Sequence, residues 1–190
     1  MREVVSSYGA VHRQAEGDLI SGTSTMEALD FYRKLVAGVT IVTARGEDGP
    51  VGMTATAVTS VSLRPALLLA CLAGDSRTLG AIRREHAFGL HLLADDEPSR
   101  PTAFSVSAAA PGGKFRSISW SAVHGVPVLD DVLAWAVCAV VDERKYGDHS
   151  IVVGRLVATG QGTGNPLVWH DRSYWALGEE MACTSTRASA

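Results

Sequence analysis

From Val51 to Leu63 the side chains alternate, with Val51, Met53, Ala55, Ala57, Val61 and Leu63 on odd positions and Thr54, Thr56, Ser60 and Ser62 on even ones. A period of two fits extended backbone, because successive side chains of a strand point to opposite faces. One face is therefore apolar and the other carries hydroxyls. Around this segment the chain continues to read as strands. Val39 to Val42 is rich in β-branched residues and runs to a Glu47-Asp48-Gly49-Pro50 turn. Leu67–Leu72, Phe88–Leu93, Val132–Val141, the run Ile151–Ala158 broken by Gly154, and Leu167–Leu177 follow.

Helical signals are few. Ser24-Thr25-Met26-Glu27 has capping-box spacing, and Ala28, Leu29, Phe31, Tyr32, Leu35 and Val36 recur at helical intervals, which predicts a helix to about Ala37. A second helix is predicted from Arg77 to Glu85 with Asp75 or Ser76 as its cap. Residues 95–119 are polar and rich in Pro, Gly, Ser and Ala, an excursion with a helical piece around 101–109. Strands joined by short turns predict a mainly β protein, an antiparallel Greek-key-type barrel with a few peripheral helices, rather than a doubly wound parallel sheet. No internal repeat is visible. Residues 1–23 and 179–190 read as tails around one domain over 24–178.

The chain has 190 residues, 46% of them apolar and 19% charged. That composition, with a mean hydropathy of +0.12, excludes a disordered polymer and an integral membrane protein. The longest apolar runs, Ala66–Ala73 and Val132–Val141, fall short of the about 20 residues that cross a bilayer. Net charge is −3 and no Lys/Arg block occurs, which argues against a nucleic-acid surface. The N-terminal residues lack the apolar core of a secretory signal, so a cytoplasmic protein is expected. Cys71, Cys138 and Cys183 have no C-x-x-C spacing, and neither a disulfide nor a structural zinc is expected.

Gly160-Gln161-Gly162-Thr163-Gly164 superficially suggests a dinucleotide fingerprint, but Asn165 stands where its last glycine belongs and Pro166 leads into a strand. A hairpin loop is the better reading. Gly74-Asp75-Ser76 admits three readings: a nucleophilic serine with His149 and an aspartate, a plain helix cap, or a phosphate grip. In the last, Ser76-Arg77-Thr78 offers backbone N–H groups, two hydroxyls and a guanidinium. The hydroxyl face is either a solvated strand or, because Gly52, Ala55 and Ala57 are small, a floor for a flat ligand. A ligand planar at one end and anionic at the other would be a flavin nucleotide. His149 reads as a turn residue between two strands. His86, His91, His124 and His170 show no paired ligand spacing, so no metal site is expected. Lys114-Phe115, after Pro111-Gly112-Gly113, is equally a surface turn or a phosphate-facing lysine.

Taken in order, Gly38-Val39-Thr40-Ile41-Val42-Thr43, Gly52-Met53-Thr54-Ala55, Thr59-Ser60-Val61-Ser62-Leu63, Cys71-Leu72, Ser76-Arg77-Thr78, Lys114-Phe115, Gly125-Val126-Pro127-Val128-Leu129, Gly147-Asp148-His149 and Gly154 resemble the short-chain flavin reductase family over about Phe31 to Leu177. The chain departs from that pattern at Arg64-Pro65-Ala66, at Ala57-Val58 and at Gly113. The resemblance implies the FMN-binding split-barrel fold and a homodimer with the flavin near the subunit interface. It assigns the flavin to Met53, Thr54, Ala55, Thr56, Ala57, Val58, Thr59, Ser60, Ser62, Cys71, Ser76, Arg77, Thr78, Lys114 and Phe115, and the nicotinamide nucleotide to His149 with Tyr174. The implied activity is reduction of free FAD or FMN by NADH or NADPH, supplying reduced flavin to a flavin-dependent monooxygenase, with no side chain acting as nucleophile or acid–base catalyst. The alternative is a non-catalytic flavin- or haem-binding split-barrel module. An oxidase related to pyridoxamine phosphate oxidases would need a cationic pocket for a second phosphate, and few Arg or Lys residues cluster near the implied site.

Overall fold

A computed structural model describes residues 22–106 and 113–178. The expected tails, apart from Gly22 and Thr23, lie outside the described residues, as do Cys183, Pro111 and Gly112. The chain divides into two compact units, Met1–Tyr32 and Arg33–Ala190.

In the first unit α1 spans Thr25–Tyr32. The capping box forms as its spacing predicts: Ser24 Oγ accepts from the Glu27 N–H at 3.3 Å and Glu27 Oε2 accepts from the Ser24 N–H at 2.9 Å. The helix stops five residues short of the expected Ala37. In the second unit Ala37–Gly38 is instead a short strand, β1, paired with Trp169 and Val168. Long-range pairing overrides the local apolar period there.

The second unit continues with β2 (Thr40–Gly46), β3 (Gly49–Ala55), β4 (Val58–Leu63), β5 (Ala66–Ala73), α2 (Arg77–Glu85), β6 (Ala87–Leu92) and α3 (Ser99–Ser105). A 3-10 turn at Gly113–Phe115 leads to β7 (Trp120–Val123), β8 (Val126–Leu129), β9 (Ala134–Tyr146), β10 (His149–Gln161), β11 (Leu167–His170) and β12 (Ser173–Ala176). Seven strands form one antiparallel sheet in the order β3-β2-β6-β9-β10-β5-β4. β1, β11 and β12 form a second sheet, and β7 and β8 a hairpin.

β3 and β4 are consecutive in sequence yet occupy opposite ends of the seven-stranded order, with Thr56 and Ala57 alone between them. Three Cα steps span at most about 11 Å, so the sheet must curl until the linked ends of its two outer strands lie close together. The Cys71 N–H donates to the Ala57 carbonyl at 2.8 Å, which extends the β4–β5 ladder up to that link. The result is the expected mainly β split barrel.

Its interior holds Val42, Leu72, Phe88, Cys138 and Val152, and Leu79 and Ile82 of α2 pack on the same cluster. A second cluster gathers Val39, Ile41, Phe104, Phe115, Leu129 and Leu167, with Trp169 and Tyr174 against it. His91, fully buried, fastens β8 to the barrel: its Nδ1 lies 3.0 Å from the Ile41 carbonyl, and its Nε2 accepts from the Leu129 N–H at 3.1 Å. A carbonyl can only accept, so the ring is neutral with its proton on Nδ1. This histidine is a structural strut.

Several local expectations shift. The apolar face of residues 51–63 is not one core face, because a bulge lies between Ser60 and Ser62 and leaves Val61 and Leu63 exposed. β9 and β10 each run 13 residues, longer than their apolar stretches, so His149 opens β10 instead of sitting in a turn. Gly160 and Gln161 belong to β10, and the following loop leads to β11 rather than closing a hairpin. A Cβ on Gly160 would lie 2.4 Å from the Trp135 indole and one on Gly162 2.2 Å from the Val132 carbonyl. Close packing thus explains those glycines without a phosphate. Leu167–Leu177 is a hairpin turning at Asp171 and Arg172, both with positive φ.

Candidate functional site

The two strands that end the curled sheet each pair on one side only, β3 with β2 and β4 with β5. Among the described residues neither pairs with a further strand on its other edge. The Thr56–Ala57 link joins these edges, and side chains from four other segments converge beside it.

The first is α2. Ser76 is its N-cap, with extended backbone and Oγ accepting from the Leu79 N–H at 3.2 Å. The cap reading is therefore correct, and the serine Oγ is occupied by the helix. Among the described residues it shares no hydrogen bond with His149, so the serine-nucleophile reading gains nothing. Arg77 is exposed at the first helical position, whereas Thr78 is buried and its side chain turns away from solvent.

The second and third are the 3-10 turn and α3. Lys114 Nζ donates to the Gly52 carbonyl on β3 at 3.0 Å and to the Phe104 carbonyl on α3 at 2.8 Å, and it stands 5.7 Å from the Phe104 ring centroid. Burial, and then the nearby Arg77 charge, push the Lys114 ammonium below the usual lysine range. Two cations that feel each other's charge favour an anion beside them. Phe104 itself is fully buried, packed edge-on to Phe115 at 5.2 Å. A Cβ on Gly52 would come within 2.8 Å of the Phe104 ring, so β3 and α3 touch only because that position is glycine. The Thr54 hydroxyl donates to the Pro101 carbonyl.

The fourth is the turn before β10. His149 stands opposite Ala73, the last residue of β5, and the Gly74 N–H donates to the Asp148 carbonyl at 2.8 Å. His149 Nδ1 is 2.7 Å from Asp148 Oδ1. Cys71, half-buried on β5, has its thiol pushed up by burial and then by the Asp148 charge.

Met53, Thr54, Thr56, Ala57 and Val58 follow one another from β3 into β4, Cys71 pairs beside Ala57, Lys114 reaches Gly52 within the field of Arg77, and His149 stands opposite the end of β5, three residues before Ser76. Ala55 and Phe115 are buried, so their side chains shape the floor rather than line it. Thr59, Ser60 and Ser62 lie along β4. There the Ser62 hydroxyl accepts from the Arg64 N–H at 3.2 Å, and Thr59 donates weakly to the Ser60 carbonyl. Tyr174 packs edge-on to Trp169 at 4.9 Å in the other sheet, and no described contact joins it to His149. Sequence reasoning missed Phe104, which lies in a stretch without periodicity, and Asp148, whose only signal was adjacency to His149.

A separate cavity of about 350 Å³ lies at the far end of β10, lined by Trp135 and by Asp96, Asp130 and Asp131 among others. Three carboxylates repel the phosphates of any nucleotide, whereas Arg77, Lys114 and the α2 N-terminus attract them. The cationic end is the candidate site. Among the described residues no helix is long and apolar enough to cross a membrane, and no group of His, Cys, Asp and Glu could hold a metal ion.

Compared with known proteins, residues 32–178 match the family described as Flavin reductase like domain. A flavin reductase (NADH) of Kitasatospora aureofaciens is 40% identical over 160 residues, 80% of this chain and 82% of that protein. The reductase component of a 4-nitrophenol 4-monooxygenase/4-nitrocatechol 2-monooxygenase of Rhodococcus opacus is 38% identical over 135 residues, 70% of this chain and 71% of that protein. Among solved structures, the flavin reductase component of a bacterial two-component tryptophan halogenase aligns at a TM-score of 0.74 and 30% identity, covering 83% of this chain and all of that one.

Proposed function

The chain belongs to the flavin reductase-like domain family, and from that membership we propose that it is an NAD(P)H-dependent flavin reductase, which reduces free FAD or FMN and passes the reduced flavin to a partner monooxygenase. The observation that carries the site assignment is Lys114, fixed to the Gly52 and Phe104 carbonyls within the field of Arg77 at the first position of α2, beside the small residues Ala55 and Ala57. Cations and helix N–H groups suit a flavin phosphate, and a floor of small residues suits a flat ring.

The chemistry is hydride transfer from the nicotinamide C4 to the flavin N5, which needs two rings stacked at roughly 3 to 3.5 Å more than it needs an acid or base. The protein supplies alignment. Backbone N–H groups on the unpaired edges of β3 and β4 stabilise the negative charge that reduction brings to the flavin ring. His149, opposite Ala73 and next to the phosphate seat, contacts the reductant, with Tyr174 contributing from the second sheet. A flavin that must leave for an oxygenase is better held at micromolar affinity, about −8 kcal/mol, than retained. A homodimer is part of the same proposal, supported by Val61 and Leu63, which are 50% and 83% exposed on the edge strand β4. Dependence on a reduced nicotinamide nucleotide supports a cytoplasmic site of action.

The test is oxidation of NADH or NADPH by purified protein with and without added FAD or FMN. A saturable, flavin-dependent rate is expected, and no rate with any of the four combinations would leave only the non-catalytic binding module. Replacing His149 by Ala is expected to raise the KM for the nicotinamide nucleotide roughly tenfold while the flavin Kd stays within about twofold. An unchanged KM would clear His149 of that role.

A further inference from the structure

We propose that Asp148 is the positioning residue for His149, fixing which ring nitrogen faces the reductant; the proposal rests on the assignment of His149 to the nicotinamide nucleotide. The carboxylate Oδ1 lies 2.7 Å from His149 Nδ1. An ionised carboxylate only accepts, so Nδ1 carries the proton toward it and Nε2 is the nitrogen left to face the reductant. The hydrogen bond from His149 holds the Asp148 carboxyl below the usual carboxylate range.

The main chain around the pair is pinned on both sides. The Asp148 carbonyl accepts from the Gly74 N–H at 2.8 Å, and the Ser76 N–H donates to the Ala73 carbonyl at 3.1 Å, so the turn before β10 is tied to the turn that starts α2. On the other side Ser150 is fully buried, with its Oγ 3.3 Å from Arg83 Nη2. The backbone of His149 is therefore held while its side chain remains about half exposed. What is left free is rotation and tautomer of the imidazole, and the Asp148 carboxylate restricts both. Such a partner is how a histidine is commonly held in one tautomer. The Asp148 side chain is 94% exposed and its bond to His149 lies at the surface, so its removal takes nothing from the core and leaves the fold intact.

The experiment uses the full chain with 15N-labelled histidine and the variants Asp148→Ala, Asp148→Asn, His149→Ala and Asp148→Ala/His149→Ala. Long-range 1H–15N spectra of the free protein are expected to show His149 protonated on Nδ1 in the parent and shifted toward the Nε2-protonated form in Asp148→Ala. Asp148→Asn retains Nδ1–H because its amide oxygen still accepts. In steady-state assays Asp148→Ala is expected to raise the KM for NADH roughly fivefold, with kcat and the FMN Kd within about twofold. Asp148→Asn regains most of that loss, and the Ala substitution adds nothing further in the His149→Ala background. An unaltered tautomer in Asp148→Ala, or an equal KM rise without His149, overturns the proposal. If His149→Ala alone leaves the KM unchanged, the assignment of His149 to the reductant fails, while the tautomer spectra still decide whether Asp148 positions the ring.

Discussion

Replacing Phe104 by Ala lowers the stability of the protein by about 3 to 5 kcal/mol, the range for emptying a fully buried aromatic site. The ring has no exposed surface, packs edge-on to Phe115 at 5.2 Å and fills the space that a Cβ on Gly52 would need. It is also the surface over which the Lys114 ammonium stands. Removing it therefore opens a cavity in the second core cluster and loosens α3 against β3. Because Lys114 donates to carbonyls on both of those elements, the same change displaces the lysine and weakens flavin binding. Denaturant unfolding of parent and variant measures the first effect, and a shift of the midpoint with unchanged slope identifies it as stability. A loss below about 1 kcal/mol would mean that α3 does not seal this cluster.

The second large effect is with pH. Burial, opposed only in part by its bond to Ile41, lowers the pKa of His91 to about 4 from an ordinary value near 6.5. Above pH 6.5 the ring is neutral whether the chain is folded or not, and it makes no pH-dependent contribution. Between pH 6.5 and 4 the unfolded chain binds a proton that the folded chain refuses, so stability falls as the pH falls through this window, by about 3 kcal/mol in all. Below pH 4 both states are protonated and this loss levels off. Carboxyls held low in the fold, such as Glu143 beside Arg83, act only below the ordinary carboxylate range, so pH 6.5 to 5 isolates the histidine. Denaturant unfolding at stepped pH is expected to show the slope in the parent and a flatter curve in His91→Gln, which does not titrate. A flat parent curve would contradict the neutral strut joining Ile41 to Leu129.

What could be read in the sequence was what local chemistry determines. The Ser76 cap and the bounds of α2 follow from a hydroxyl at the right offset and a helical period. The β2–β3 hairpin follows from the turn residues at 47–50, and the grouping of residues 53–58 with Ser76 and Arg77 in one site is what the family resemblance implies. What long-range pairing determines was hidden. Nothing local places β3 and β4 at opposite edges of one sheet, although that arrangement makes the barrel and leaves its two edges open. Nor does local sequence show that Ala37 would leave its helical pattern to pair with Trp169. Phe104 and Pro101 sit in an aperiodic stretch, and their partners Gly52 and Thr54 lie about fifty residues back. Asp148 stood in plain view beside His149, but its role depends on the β5–β10 register that brings Gly74 to its carbonyl.

The central claim is that a flavin phosphate is held where Arg77, Lys114 and the start of α2 meet. Titrating the parent and Arg77→Ala with FMN and with riboflavin, which lacks the phosphate, tests it most directly, with quenching of flavin fluorescence as the signal. Arg77→Ala is expected to weaken FMN binding by roughly tenfold or more and to leave riboflavin binding within about twofold. Equal changes for the two ligands, or no change for either, would contradict it.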